Sequence, residues 1–354
     1  LDQDAITVGP GEYQRINLSA NVDTQVSESI SMGTSINITR GETNSFQGSL
    51  GANLAGAGGG QNLAKTSMNL HNIFAPLYDL NGNYAMAKGE LVKHQVGPGS
   101  GRNNLLAPLE NFVFNGSKDA ILANAYIQWE PIDNLVIKGV AAINTFHEQT
   151  RYFQKKIKNY YNDGTFYEMF PKRQSNKGHL EFNTETFYLT ADWSKDLGND
   201  TSLNILAGYS QEESSSELSG AMREGHLSDG VQVLDAGSTD GMTNYGSLTD
   251  FSVQSVFARM DLNIMDKYLI QANVRADGSS RFKNDKWGTF PSFSAGWILS
   301  EEDFLEDSAI NFLKVRASWG ELGNANIGNY EFAKKLSLSS AYNFGGNLAP
   351  GVAQ

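Results

Sequence analysis

The sequence predicts an all-β protein: about 10–11 antiparallel strands of a larger transmembrane β-barrel. Three observations carry this. Hydrophobicity alternates residue by residue rather than with a helical period. Short turns and long polar segments follow one another in strict alternation, as in an up-and-down sheet with one tight rim and one elaborated rim. Trp129, Trp193 and Trp297 lie on the apolar face, each a few residues before a short turn, and Tyr268 follows the next one. Amphipathic aromatic rings at matching depth are what a membrane–water interface selects, so these four form the predicted girdle.

The strands are read in order. Two weaker ones open the chain, around Arg15–Thr24 and Ile30–Arg40. Next, Ala123, Ala125, Ile127 and Trp129 alternate with Asn124, Tyr126, Gln128 and Glu130. Beyond the turn Pro131–Asn134, the apolar series is Leu135, Ile137, Gly139, Ala141 and Ile143. The pattern returns at Phe187–Trp193, Leu203–Tyr209, Tyr268–Val274, Phe293–Leu299 and Leu313–Trp319. Short connections fall at Ser27–Ser29, Pro131–Asn134, Leu197–Asp200 and Met265–Lys267, with a longer one at Glu301–Asn311. The long ones are Gly41–Lys118, Thr150–Gly178, Glu212–Leu248 and the shorter Gly278–Lys286. Of these, 41–118 is predicted to be an extracellular loop with a short helix, from the spacing of Leu63, Leu70, Phe74 and Leu77.

A soluble sandwich or propeller would also alternate, but it buries its apolar face and rarely needs strands of about ten residues or more. The opposite face here carries Lys138, Asp192, Asn273, Arg275, Lys314 and Arg316, too polar for a dry core and suited to a wet lumen. The barrel is therefore preferred.

Composition excludes several other classes. The 354 residues are 40% hydrophobic and 19% charged, too apolar for a disordered polymer. A net charge of −12 argues against a nucleic-acid binder, and zero cysteine excludes disulfides and thiolate metal sites. No run approaches about 18 consecutive apolar residues, so a membrane-spanning helix is excluded, and no segment reads as a signal peptide. The chain opens on Leu1, which reads as a processed product or a fragment.

Some segments are familiar. Asn273–Leu305 (NVRADGSSRFKNDKWGTFPSFSAGWILSEEDFL) strongly resembles the hallmark barrel stretch of SusC/RagA-type TonB-dependent outer-membrane transporters. Leu313–Tyr330 is similar to the next signature of that family, and Tyr78–Ala85 and Asn124–Gly139 to its loop and hairpin patterns. Lys283 stands where many members carry glycine. The resemblance implies a 22-stranded bacterial outer-membrane barrel importing oligosaccharides, or in some members peptides. It implies two partners: TonB, which supplies energy, and a SusD-like surface lipoprotein lid. On this reading 1–354 is a partial barrel domain, without plug, N-terminal region or closing C-terminal strands. Its first strand and its last, placed near Glu331–Leu338, are expected not to pair with each other.

Other motifs weigh less. Gly56–Gly60 could cradle a phosphate, but no buried strand precedes it, and a flexible loop is the simpler reading. His147-Glu148 begins like a zinc helix, yet Arg151 replaces the second histidine. The five histidines look scattered, so no metal and no cofactor are expected. Asp235, Asp240 and Asp250 lack a calcium-hand pattern. Arg151–Lys158 with Tyr160 and Tyr161 is basic and aromatic; on the elaborated rim it reads as contact with lipid headgroups or lipopolysaccharide, or else with a partner. The pairs Glu212/Glu213 and Glu301/Glu302 would point to opposite faces of strands, so neither is a catalytic pair, and no nucleophile motif occurs. The loop aromatics Tyr78, Tyr84, Tyr152, Tyr160 and Trp287 are candidates for stacking on sugar rings or for packing under a lid. Two alternatives remain: an outer-membrane hydrolase barrel, which would need a nucleophile and base at the lumen mouth that the sequence does not display, and a surface adhesin without transport.

Overall fold

A computed structural model describes residues 2–4, 11–45, 78–85, 106–160, 164–305, 309–333, 337–344 and 347–353. Its main element is an antiparallel sheet of eleven strands. In chain order these are β1 (Asp2–Asp4), β2 (Gly11–Ser27), β3 (Ile30–Ser45), β4 (Phe112–Ile132) and β5 (Leu135–Gln154). After a separate hairpin, β6 (Ile157–Tyr160) and β7 (Phe166–Phe170), come β8 (Gln174–Gly198), β9 (Thr201–Glu224), β10 (Thr243–Ile264), β11 (Tyr268–Ser279), β12 (Trp287–Ile298) and β13 (Lys314–Gly320). Each strand of the main sheet pairs with its predecessor in that sheet. A second hairpin, β14 (Ser337–Phe344) with β15 (Asn347–Ala353), ends the described chain, and one helix, α1 (Leu106–Asn111), precedes β4.

The short connections are tight because their residues accept left-handed backbone. Asn199 and Asp200 both have φ of 52°, and Met265 and Asp266 have φ of 56° and 52°. Two successive positive φ values define the turn whose twist matches that of a hairpin.

Strand pairing carries one apolar face from β2 to β13. Leu18 opposes Ile38, Ile38 opposes Ile121, and Ile137 opposes both Trp129 and Ala191. Trp193 opposes Ile205, Ile205 opposes Met260, Met260 opposes Ala272, Ala272 opposes Phe293, and Phe293 opposes Trp319. These side chains are not a core: Leu18 is 63% exposed, Leu189 44% and Trp319 60%. The buried apolar residues among those described are Ala85, Ala107, Phe112, Phe114, Phe153 and Ile157, all at the long-loop end. A sheet that leaves its aliphatic face bare and buries almost nothing behind it needs an apolar solvent on that side.

Three expectations are corrected. The long connections are shorter than the sequence implies: β3 runs to Ser45, β5 to Gln154, β9 to Glu224, and β4, β8 and β10 begin at Phe112, Gln174 and Thr243. Within 41–118 only 46–111 is therefore connection. Beyond the apolar belt both faces are polar, so the period-two signal fades while the backbone ladder continues. A strand expected near Glu331–Leu338 is a turn at Glu331–Ala333 followed by β14, which pairs locally with β15 and so closes a far shorter loop. Finally, Glu301 and Glu302 lie at the end of a 3-10 turn, Leu299–Glu301, rather than on a strand. The Gly56–Gly60 run and the proposed helix at Leu63–Leu77 lie outside the described residues. Among the described strands, β1 and β13 end the sheet and are not paired with each other; the strands expected at the edges differ, since β2 pairs with β1 and β14 lies outside this sheet.

Candidate functional site

Two regions hold the candidate residues: the polar face of the sheet and the loop cluster at its elaborated end. Register places Lys138, Asp192, Asn273, Arg275, Lys314 and Arg316 all on the face opposite the tryptophans. Four of the six are tied to neighbours. Asn204 Nδ2 donates to Asp192 at 2.7 Å, and Asn273 Nδ2 donates to Ser292 at 3.2 Å. Arg275 donates to Asp277 at 2.6 Å and to Ser255 at 2.8 Å, with its guanidinium 5.5 Å from the Phe257 ring centre. The Lys138 ammonium stands 4.6 Å from the ring centre of Tyr126, whose hydroxyl donates to Asp23 at 2.7 Å. A cavity of about 1,020 Å³ opens on this face near the short turns, between Asn204, Asp261, Gln271, Ser294, Lys314 and Arg316. The surface is polar, hydrogen-bonded and mixed in charge, and offers donors and acceptors to polar groups.

Aromatic side chains crowd glycines four times across adjacent strands. Tyr126 covers Gly33, Phe257 covers Gly208, Tyr245 covers Gly220 and Trp287 covers Gly278. A Cβ on any of the four would meet its ring at under 3 Å, so glycine is the residue that admits the ring there. Trp287 is thus fixed at one edge and 53% exposed.

The tyrosines expected to act separately form one assembly. Tyr78 and Tyr84 pair across a tight turn, their rings stacked at 5.7 Å. The turn is made by Asp79, whose carboxylate accepts from the backbone N–H of Asn81 and Asn83, each at 2.8 Å, and from Asn83 Nδ2 at 3.0 Å. Those bonds, the side-chain one first, hold the Asp79 carboxyl below its usual range. Both tyrosine hydroxyls then donate to Glu110 on α1, at 3.0 and 2.6 Å, and Asn111 Nδ2 donates back to the Tyr84 oxygen at 2.7 Å. Burial and the Glu110 bond push Tyr84 up to about 12. Beneath it, Ala107, Phe112 and Ile157 form a small core that Tyr84, Tyr152 and Phe170 pack against. Tyr152 sits edge-on to Phe112 at 5.5 Å, its hydroxyl on Gln154 at 3.0 Å, and burial raises its pKa. The Tyr160 N–H donates to the Tyr84 carbonyl at 2.8 Å, and its ring meets Phe166. Trp287 lies apart from it, on β12.

Sequence reasoning missed Glu110, Asn111 and Phe112, because nothing local marks residues that meet a turn some thirty positions upstream. The Arg151–Lys158 reading needs revising too: Phe153 is 1% exposed and Ile157 2%, so the apolar half of that segment anchors the rim instead of meeting headgroups. The histidines are less scattered than expected. Strand pairing brings His147 and His179 together beside Glu181. At the opposite rim two of the residues expected in the girdle are joined: Tyr268 and Trp297 stack at 6.2 Å, and both donate to Glu302, at 2.7 and 2.9 Å. These bonds, Tyr268 first, hold the Glu302 carboxyl below its usual range.

Comparisons with known proteins agree with this geometry. Residues 78–353 match the family model described as TonB dependent receptor-like, beta-barrel. The TonB-dependent receptor P39 of Formosa agariphila is 27% identical over 353 residues, which is 99% of this chain and 31% of that protein. The TonB-dependent receptor SusC of Bacteroides thetaiotaomicron is 46% identical over 77 residues, 21% of this chain and 8% of SusC. The chain spans about a third of the length of the first of these relatives. In shape it is similar to the RagAB peptide importer in its closed-closed state, with a TM-score of 0.75 over 99% of this chain and 37% of that one, at 18% identity.

Proposed function

The chain belongs to the TonB-dependent receptor-like β-barrel family, and on that premise we propose that it forms part of the wall of a TonB-driven outer-membrane importer. It is an outer-membrane β-barrel chain rather than an enzyme, as its relatives are receptors and transporters. The observation that carries the proposal is the two-faced sheet. One face is aliphatic and bare from β2 to β13; the other is hydrogen-bonded and charged, suited to lining a water-filled lumen.

On this reading Trp129, Trp193, Tyr268 and Trp297 are the membrane girdle on the periplasmic side. Lys138, Asp192, Asn273, Arg275, Lys314 and Arg316 line the lumen. The substrate is an oligosaccharide, delivered under a SusD-like lipoprotein that seats on the assembly around Tyr78, Tyr84, Tyr152 and Tyr160, with Trp287 as a separate stacking surface. Supporting the oligosaccharide is the resemblance to SusC-type transporters, together with aromatic rings beside hydroxyl and amide groups, the pairing that suits sugar rings. TonB acts through a part of the protein beyond these strands, and lipid and lipopolysaccharide meet the aliphatic wall.

Uptake of fluorescent oligosaccharides and of fluorescent peptides by cells with and without the full-length gene tests this. Gene-dependent and TonB-dependent oligosaccharide uptake is the expected result. Peptide uptake alone would move the substrate class. Surface binding that persists without TonB and leads to no uptake would replace import with adhesion.

A further inference from the structure

Beyond the apolar belt, the outer wall carries a row of ionisable side chains set by strand register alone. Asp119 on β4 opposes His147 on β5, His147 opposes Glu181 on β8, and Glu181 opposes Glu217 on β9. His179 lies two residues from Glu181 and therefore on the same face. His147 Nδ1 stands 3.7 Å from Glu181 Oε2, and His179 Nε2 stands 3.9 Å from that same oxygen. The three ligand atoms all lie within 4.8 Å of one another, and the imidazoles are near parallel at 13°.

We propose that His147, His179 and Glu181 form a divalent transition-metal site on the outer wall of the barrel, suited to zinc or nickel. Two imidazole nitrogens and a carboxylate are a borderline donor set; calcium and magnesium prefer oxygen alone. Tetrahedral zinc with bonds near 2.0–2.1 Å places its ligands about 3.3 Å apart, so each histidine needs to close on the carboxylate by only about half an ångström. All three side chains are between a third and a half exposed, which leaves their rotamers free to make that adjustment. The backbone ladder fixes the rest, because β5 and β8 pair without interruption from Leu135 to Gln154. Asp119 and Glu217 flank the row in register; Glu217 supplies negative charge that favours a cation over a bare histidine pair, while Asp119 is shared with Arg40, 3.9 Å away. The fourth position is open to water or to either of these carboxylates. Four residues separate His147 from Ile143, the last aliphatic position of β5 on this face, so the site lies outside the lumen and is independent of the transported substrate.

The test uses full-length protein in detergent, free of any polyhistidine tag and stripped with chelator. Zinc and nickel are titrated by calorimetry, with bound metal counted by elemental analysis. One equivalent is expected to disappear in the double variant His147→Gln/His179→Gln, and each single variant should weaken that equivalent at least tenfold, while excess magnesium leaves it in place. Cobalt bound to the native protein should show the visible absorption of four-coordinate nitrogen and oxygen ligation, a readout independent of whether the variants assemble. Equal zinc stoichiometry and affinity in the native protein and a double variant of native heat-modifiability would overturn the assignment. So would the lack of that cobalt spectrum.

Discussion

Strand β8 crosses two environments in 25 residues. From Phe187 to Trp193 it alternates strictly, with Phe187, Leu189, Ala191 and Trp193 outward and Tyr188, Thr190 and Asp192 inward. From Gln174 to Glu185 the same strand, on the same ladder, points His179, Glu181, Asn183 and Glu185 outward. Nothing in the backbone distinguishes the two halves. What differs is the solvent each half is made for: lipid beside the lower half, water on both sides of the upper. The hydrogen-bonded sheet persists wherever a partner strand continues, whereas the amphipathic pattern persists only where one side is dry.

That comparison can be broken at several points. The all-or-none test is labelling of intact cells with a membrane-impermeant thiol reagent, to which these 354 residues contribute no cysteine of their own. Leu227→Cys, on a long loop and 94% exposed, should label; Asp133→Cys, in a short turn, should resist. The reverse pattern would turn the sheet over in the membrane. Next in size, Leu189→Arg or Ala272→Arg should destabilise a bilayer-refolded protein by about 2–4 kcal/mol, while Thr190→Arg on the wet face costs far less. Equal costs on the two faces would deny the lipid contact. Ala substitution at Gly208, under the Phe257 ring, should cost about 1–3 kcal/mol by overpacking; a neutral result would show that the ring moves freely.

Glu185→Arg sharpens the comparison most. It sits on the same face of β8 as Leu189, four residues further up, and should change stability by no more than about 0.5 kcal/mol. A penalty near that of Leu189→Arg would place Glu185 inside the bilayer. The smallest effect concerns Glu302. Its carboxyl is held below the usual range in the folded state, so its contribution is complete above the ordinary value of 4.5 and is lost as pH falls through the depressed one. Trp297 emission should therefore shift on acidification and stay constant in Glu302→Gln.

How much the sequence disclosed follows the same division. Every strand segment in the dry belt that the reading named is present, and Ile137, Trp193 and Phe293 fall on the expected face. The upper half of β9 was invisible because a run such as Ser214-Ser215-Ser216-Glu217 has no apolar period to reveal its pairing, and β10 was not named as a strand at all. The tyrosine assembly depends on a turn at Asp79 meeting Glu110 and Asn111, and such contacts leave no local mark. His147 and His179 are 32 positions apart, so only the register of β5 with β8 could have joined them.

The length of β8 also sets a height. At about 3.3 Å per residue and a tilt near 45°, 25 residues rise roughly 55–60 Å, about twice the thickness of a hydrocarbon core. The wall therefore projects roughly 25 Å beyond the lipid. A parapet of that height sets the long loops of this wall well clear of the lipid surface.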